Sequence, residues 1–407
     1  MRILFLTQYF PPETGAPQNR LFDLAQKLLH KGAVVNVLTA FPNYPQYEIF
    51  KGYSGHYFLQ ENMDGIRVFR SWVYVSAKKS VLFRLLNYFS FTFSSLIAGL
   101  FKAGPADIII CESPPLFLGF TAVLLKWAKG ARLVFNVSDL WPESAVKLGI
   151  IKNPFLIKLS TWLENWIYKQ SDYISGQTQG IVKDIQNRVP NKQVYWLPNG
   201  VDTLELNKRL TNRNWRAEQG FKNSDRLFYF GGLLGYAQGL DCIVEAAATL
   251  LDLKDVKFII IGDGPEKDRL VQLKNSLFAE NVFFFNGVPK SEIADVINAM
   301  DVAIIPLKKL DLFLGAIPSK IFEILALGKP MILGIDGEAK TLFIEQANAG
   351  LFFEPENAKQ LAEQVRVVLQ NPVMLAEYGK NGAAYVAENF DRKNIADAFY
   401  DFITQNQ

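Results

Sequence analysis

The chain has 407 residues, 49% hydrophobic and 20% charged, with 28 Gly and 19 Pro, a composition that excludes intrinsic disorder, collagen and coiled coil, while the length asks for two or three domains. Forty-three Lys and Arg against 40 Asp and Glu leave a net charge of +3, so the bulk electrostatics call for no nucleic acid. With two His a histidine-rich metal site is excluded, and the two cysteines, Cys111 and Cys242, lie far apart beside apolar residues, as reduced, buried thiols of a cytoplasmic protein do.

Residues Met1 to Thr7 read as a buried strand and not a signal peptide, because Gln8 and Pro11-Pro12-Glu13 end the apolar run without a small-residue cleavage site. Short β-branched or aromatic runs then alternate with helical patterns, which predicts an α/β chain with parallel sheets wrapped by helices. Strands are expected over 3–7, 34–38, 66–71, 107–110, 132–136, 173–175 and 194–197, and a second series over 226–230, 257–261, 282–285, 302–305 and 330–333. Between the series lie Pro198-Asn199-Gly200-Val201-Asp202 and a polar stretch from Asn207 to Asp225. The boundary therefore falls between domains 1–200 and 201–389, two doubly wound units expected to face each other across a cleft. A last helix within 390–407, with Ile395, Ala398, Phe399 and Phe402 on one face, is expected to pack back on the first domain.

Candidate site residues follow the same order. Gly15 stands at a strand-to-helix turn, where backbone N–H groups can approach a phosphate, and Arg20 follows one turn into the helix; the plainer alternative is an ordinary tight turn. The apolar stretch from Leu85 to Phe101 is interrupted by Asn87, Ser90, Thr92, Ser94 and Ser95, too short and too polar to span a bilayer. Lys78-Lys79 and Arg84 precede its stripe of Leu82, Leu85, Leu86, Phe89, Phe93, Leu96, Ile97 and Leu100, with Tyr88 and Phe91 beyond it. A buried core helix and a helix lying in a lipid headgroup layer both fit that pattern, and the extra aromatics favour the second. Leu159, Trp162, Leu163 and Trp166, near Lys152, Lys158 and Lys169, supply a second such face. Glu112 and Asp139 end two apolar strands, which predicts that the Glu112 carboxylate faces the cleft and not the core; Asp139 serves equally as a helix cap.

In the second half, glycine turns follow successive strands at Gly231-Gly232, at Gly262-Asp263-Gly264 and at Gly287-Val288, lining the rim where open α/β sheets bind nucleotides. The missing Gly-Lys-Ser/Thr ending rules out a Walker loop. Ser319, Lys320 and Glu323 share one face near the start of a helix opened by Pro318; an ammonium there suits a diphosphate and the carboxylate suits ribose hydroxyls, against a solvated i,i+3 ion pair as the alternative.

Taken in order, Pro11-Pro12-Glu13-Thr14-Gly15-Ala16, Asp139-Leu140-Trp141-Pro142-Glu143-Ser144, Pro198-Asn199-Gly200-Val201-Asp202, Gln238-Gly239-Leu240-Asp241, Gly262-Asp263-Gly264-Pro265 and Pro318-Ser319-Lys320 with Glu323 resemble the family 4 retaining glycosyltransferases of the GT-B fold, over nearly the whole chain. They are most similar to the subgroup that builds capsule, O-antigen and exopolysaccharide. The resemblance implies two Rossmann-like domains, a nucleotide diphosphate sugar as donor, UDP-linked by preference, and a polyprenyl-diphosphate-linked or saccharide acceptor. It implies no cofactor and, with no Asp-x-Asp pair in the sequence, no metal.

Carried over by position, Glu323 is similar to the second glutamate of the family's Glu-x7-Glu motif and would hold the ribose, while the first falls on Gly315, a departure. The donor sugar then rests on Gly315, Ala316 and Ser319, and the nucleoside on Gly262, Gly264, Val288 and Glu323. The family's diphosphate-binding Arg and Lys fall on Gly232 and Gln238, so Lys320, helped by amide groups around Gly15 and Gly232 and by Arg20, takes the phosphates. Glu112 and Asp139 are the catalytic candidates. The lipid-linked acceptor places the protein at the inner face of the plasma membrane. The alternatives are a sugar-nucleotide 2-epimerase, which would need His residues in motifs that His30 and His56 do not supply, and a non-catalytic nucleotide-sugar-binding scaffold.

Overall fold

The computed structural model describes residues 1–78, 80–147, 151–211 and 213–405. They form two compact units, Met1–Asn199 with Lys393–Gln407, and Gly200–Arg392.

The first unit is built on β1 (Arg2–Leu6), β2 (Val34–Ala40), β3 (Phe58–Met63), β4 (Ile66–Ser71), β5 (Ile108–Ser113), β6 (Arg132–Val137), β7 (Tyr173–Gly176) and β8 (Val194–Trp196). The sheet order is β3-β4-β2-β1-β5-β6-β7-β8. Every pair is parallel except β3 with β4. Helices α1 (Ala16–His30), α2 (Val81–Phe101), α3 (Leu118–Lys129), α4 (Glu143–Lys147), α5 (Pro154–Gln170) and α6 (Gln179–Arg188) connect the strands. The central strands are continuous apolar runs because both faces are covered. Alternation sends Leu4, Leu6, Ile109 and Phe135 to one core and Ile3, Phe5, Ile110 and Val134 to the other. That second core is completed from the far end of the chain: the terminal helix Arg392–Gln405 buries Ala396, Phe399, Phe402 and Ile403, and Phe402 stacks on Tyr195 at 4.4 Å. Each such side chain removed from water contributes about 1.5–3 kcal/mol. The unpredicted strand β3 joins β4 through Asp64-Gly65, both at positive φ (49° and 87°), the Asp-Gly turn that matches hairpin twist.

The second unit holds β9 (Arg226–Gly231), β10 (Val256–Ile261), β11 (Val282–Phe285), β12 (Val302–Pro306), β13 (Met331–Gly334) and β14 (Gly350–Phe352), ordered β11-β10-β9-β12-β13-β14 and parallel throughout. Helices α7 (Thr203–Lys208), α8 (Trp215–Glu218), α9 (Asp241–Ala248), α10 (Lys267–Ser276), α11 (Ile293–Asn298), α12 (Lys320–Ala326), α13 (Glu338–Lys340), α14 (Ala358–Gln370) and α15 (Pro372–Asn389) surround it. Strand order reverses between β1 and β5 in one sheet and between β9 and β12 in the other. The loops leaving those strands at their carboxyl ends are where such sheets bind ligands.

Candidate functional site

In the second unit Lys320 opens α12 beneath the loop that leaves β9. Its Nζ lies 3.8 Å from the centroid of the Phe230 ring and donates to Gln238 Oε1 at 3.3 Å. A Cβ added to Gly232 would sit 3.1 Å from it, and the φ of Gly232, +133°, is one that side-chain-bearing residues rarely adopt. Only glycine therefore lets this loop pass over the ammonium. Lys320 makes no ion pair among the described residues, and although part of its surface stays accessible, loss of hydration pulls its pKa down to about 7. Such a cation is held in readiness for an anion.

One turn on, Glu323 accepts no side-chain hydrogen bond among the described residues; burial raises its pKa, opposed by the fields of Lys290, Arg392 and Arg209. Lys320 and Glu323 do not pair with each other, contrary to the ion-pair alternative. Gln238, expected where a phosphate-binding lysine stands in relatives, instead holds Lys320. The N–H of Gly232 is committed to Ile261 O at 2.9 Å, so of the phosphate donors expected there that amide is withdrawn. Gly262, its own N–H donated to Phe285 O, packs so closely that an added Cβ would lie 1.8 Å from Gly232 O. Gly264 meets Leu234 O in the same way, so these glycines first of all let three loops stack. Val288 follows Gly287, whose N–H is held by Asp263, and Gly315, Ala316 and Ser319 form the turn that leads into α12.

In the first unit the structure brings together two residues expected to act separately. Arg20 Nη2 lies 2.6 Å from Glu112 Oε1 and 2.8 Å from Ser138 Oγ, and Asn136 Nδ2 donates to Glu112 Oε2 at 2.6 Å. Glu112 lies inside β5, not after it, and is 4% exposed. Its carboxylate is thus in the core, a correction explained by its partners: burial is tolerated because both oxygens are hydrogen-bonded and the charge is paired with Arg20. Arg20, 7% exposed, has Nη2 committed to Glu112 and Ser138. Asp139 is more accessible and accepts from Ser144 Oγ; burial raises its pKa, opposed by Ser144 and the Leu140 amide. Gly15 caps α1 in extended backbone beside Gln18. In the sequence Glu13 stands out only as part of the Pro-Pro-Glu motif. Its buried carboxylate accepts the amides of Phe10, Asn43 and Tyr44 at 2.8–3.1 Å, tying the loop after β1 to the loop after β2.

Helix α2 is turned inside out. Its polar residues face the protein: Asn87 Nδ2 donates to Tyr74 O, Ser90 Oγ accepts from Tyr74 N and Ser94 Oγ donates to Trp72 O. They satisfy Trp72 O and the N–H and carbonyl of Tyr74, backbone groups of an irregular segment that lie outside the strand ladder. Most of the apolar stripe is left outside, with Leu82 and Phe93 at 63% and 68% exposure and Phe101, just beyond it, at 76%, while Leu96 packs on the core. Phe91, expected to widen that outer face, is fully buried. On α5, Phe155 and Trp162 are 71% and 60% exposed, while Glu164, the one carboxylate of the two helices, turns inward to Tyr168 and Arg188. Lys79 lies outside the described residues.

Residues 15–200 match the glycosyl transferase 4-like domain, and residues 211–385 match glycosyl transferases group 1. Along its length the chain is similar to the putative colanic acid biosynthesis glycosyl transferase WcaI of Escherichia coli K12, 24% identical over 99% of this chain and 100% of that protein. Its fold is that of sucrose-phosphate synthase from Thermosynechococcus elongatus, with a TM-score of 0.76 at 17% identity over 99% and 98% of the two chains. Anabaena Alr3699/HepE, solved in complex with UDP, aligns with a TM-score of 0.68 at 17% identity over both full chains.

Proposed function

The chain belongs to the GT-B glycosyltransferases of the family 4 type, and from that premise we propose that it moves a sugar from a UDP-linked donor to a lipid-linked or saccharide acceptor in polysaccharide biosynthesis, with retention and without a metal. The observation that carries this reading is the face of α12: among the described residues, an ammonium with no carboxylate partner and, one turn on, a carboxylate with no side-chain donor. A diphosphate satisfies the first and a ribose diol the second. The UDP complex of the similar Anabaena protein supports the base.

As the bond from the anomeric carbon to the diphosphate oxygen breaks, negative charge grows on the leaving group beside Lys320. A fixed cation in a dry site stabilises that charge more than it stabilises the bound donor. The acceptor oxygen attacks from the face being vacated, and its proton passes to the departing phosphate oxygen, so no nucleophilic side chain is required. Asp139, the accessible one of the two acidic candidates, is assigned to the acceptor hydroxyl. Glu112 acts through Arg20 as a positioning residue. The acceptor belongs to the first unit, and the exposed stripe of α2 supports peripheral attachment to the inner face of the plasma membrane: among the described residues no helix is long and apolar enough to cross one.

Incubation with radiolabelled nucleotide sugars and a membrane-lipid extract tests the reading. A labelled lipid is expected; an epimerised nucleotide sugar, or binding with no transfer, refutes it.

A further inference from the structure

A trough of about 520 Å³ runs between α2 and α5 in the first unit, inside the range of about 300–1,000 Å³ that small-ligand sites occupy. Leu85, Phe89, Phe117, Trp141, Leu159 and Leu163 form its walls. Among the described residues no carboxylate lines it; the charges at its edge are those of Arg84 and Lys152, both exposed and neither in an ion pair with a described residue. An open apolar channel edged by two cations is complementary to a molecule with a hydrocarbon body and an anionic end.

We infer that this trough binds the hydrocarbon tail of a single lipid phosphate, with the phosphate held by Arg84 and Lys152. The inference rests on the lipid-linked acceptor proposed above and gives that acceptor a place. One end of the trough leads toward the sheet: α2, which lines it with Leu85, Tyr88 and Phe89, is joined to the loop after β1 by Gln8 Nε2, which donates to Asn87 Oδ1 at 2.6 Å, and Tyr44 packs on Tyr9 at 5.7 Å. Tyr9 and Tyr44 lie in the loops after β1 and β2 that Glu13 ties together. There Gln8 Oε1 and Asn43 Oδ1 are buried acceptors that receive no hydrogen bond among the described residues, the kind of group a sugar hydroxyl completes. A tail in the trough with its phosphate at Arg84 thus brings a head group to the carboxyl ends of the strands. The exposed stripe of α2 meets a lipid surface as a whole; the trough takes one chain out of it.

Two tryptophans in the wall report on the site directly. Titrating the full chain with monomeric 12-bromododecyl phosphate, below its micelle concentration and with no bilayer present, is expected to quench tryptophan fluorescence saturably at one probe per chain. Trp141→Phe with Trp162→Phe should remove most of that quenching, whereas Trp127→Phe, exposed on α3 and outside the trough, should leave it. Arg84→Glu with Lys152→Glu changes only exposed residues and should weaken phosphate binding by about tenfold or more while leaving 12-bromododecanol unaffected.

Absence of saturable quenching, quenching that survives in the Trp141, Trp162 variant, or an alcohol that binds the wild type as tightly as the phosphate overturns the inference. Saturable binding of the probe by an enzyme that glycosylates only soluble saccharides would sink the lipid-acceptor reading and leave the trough standing. Lipid glycosylation with no probe binding does the reverse.

Discussion

Donor binding should consume a proton, and the amount follows from Lys320. Its ammonium has a pKa of about 7 in the free protein, and a diphosphate against Nζ would return it toward or above its ordinary value. Above pH 7 the free protein carries the neutral amine, so binding must first load a proton and affinity falls as pH rises. Between about pH 7.5 and 9 the dissociation constant for UDP should rise about 25-fold, close to 1.9 kcal/mol, with about 0.9 protons taken up per UDP near pH 8. That window lies above the second phosphate pKa of about 6, so the ligand's own phosphate does not change charge within it. Calorimetric titration in buffers of differing ionisation enthalpy gives both the constant and the proton count. Lys320→Met should bind more weakly at pH 7.5 and lose the slope; Lys320→Arg, always charged, should lose the slope alone. A wild-type constant that stays flat over the window, or a Lys320→Met protein with the wild-type slope, refutes the assignment. Without ligand the sign is opposite: the unfolded chain binds more protons from pH 7 up to the ordinary lysine value, so this residue makes stability rise with pH there.

Three further outcomes are expected. Glu323→Ala should weaken UDP binding by about tenfold, while a 5′-diphosphate lacking the ribose diol, titrated in the same calorimeter, should bind both proteins alike. Glu112→Gln leaves Arg20 buried without its counter-charge and should cost about 3–5 kcal/mol of stability in urea unfolding; unchanged unfolding with lost turnover would make Glu112 a direct participant instead. Leu82→Ser with Phe93→Ser removes two exposed apolar side chains and should raise Tm or leave it unchanged while abolishing flotation with anionic liposomes at low salt; persistent flotation rules out α2 as the contact.

Most of the architecture was legible because buried parallel strands advertise themselves as short apolar runs between glycine turns, and the strand series was read to within a few residues. Two strands escaped. β14 has only three residues, and β3, half-exposed at the sheet edge, is too polar to stand out although Asp64-Gly65 announced its turn. The donor face was legible at Lys320 and Glu323, since helical spacing alone puts them together. What spacing cannot give is the contact across 92 residues that joins Arg20 to Glu112, or the inversion of α2. The stripe on that helix was visible; which side would face the protein depended on the Trp72 carbonyl and the Tyr74 backbone, which side chains of α2 satisfy and which no periodicity records.

The return of the chain to its first unit has a consequence during synthesis. Met1–Asn199 emerges from the ribosome without the terminal helix, and Gly200–Arg392 must be made before that helix appears. At about 5–20 residues per second the wait is on the order of ten to forty seconds. Throughout it the side of the sheet that Phe399 and Phe402 later cover is open to any apolar neighbour, including another nascent chain. An interval of uncovered apolar surface is thus written into the connectivity, and a stop codon anywhere in the second unit would strand the first one uncovered, however intact its own sequence.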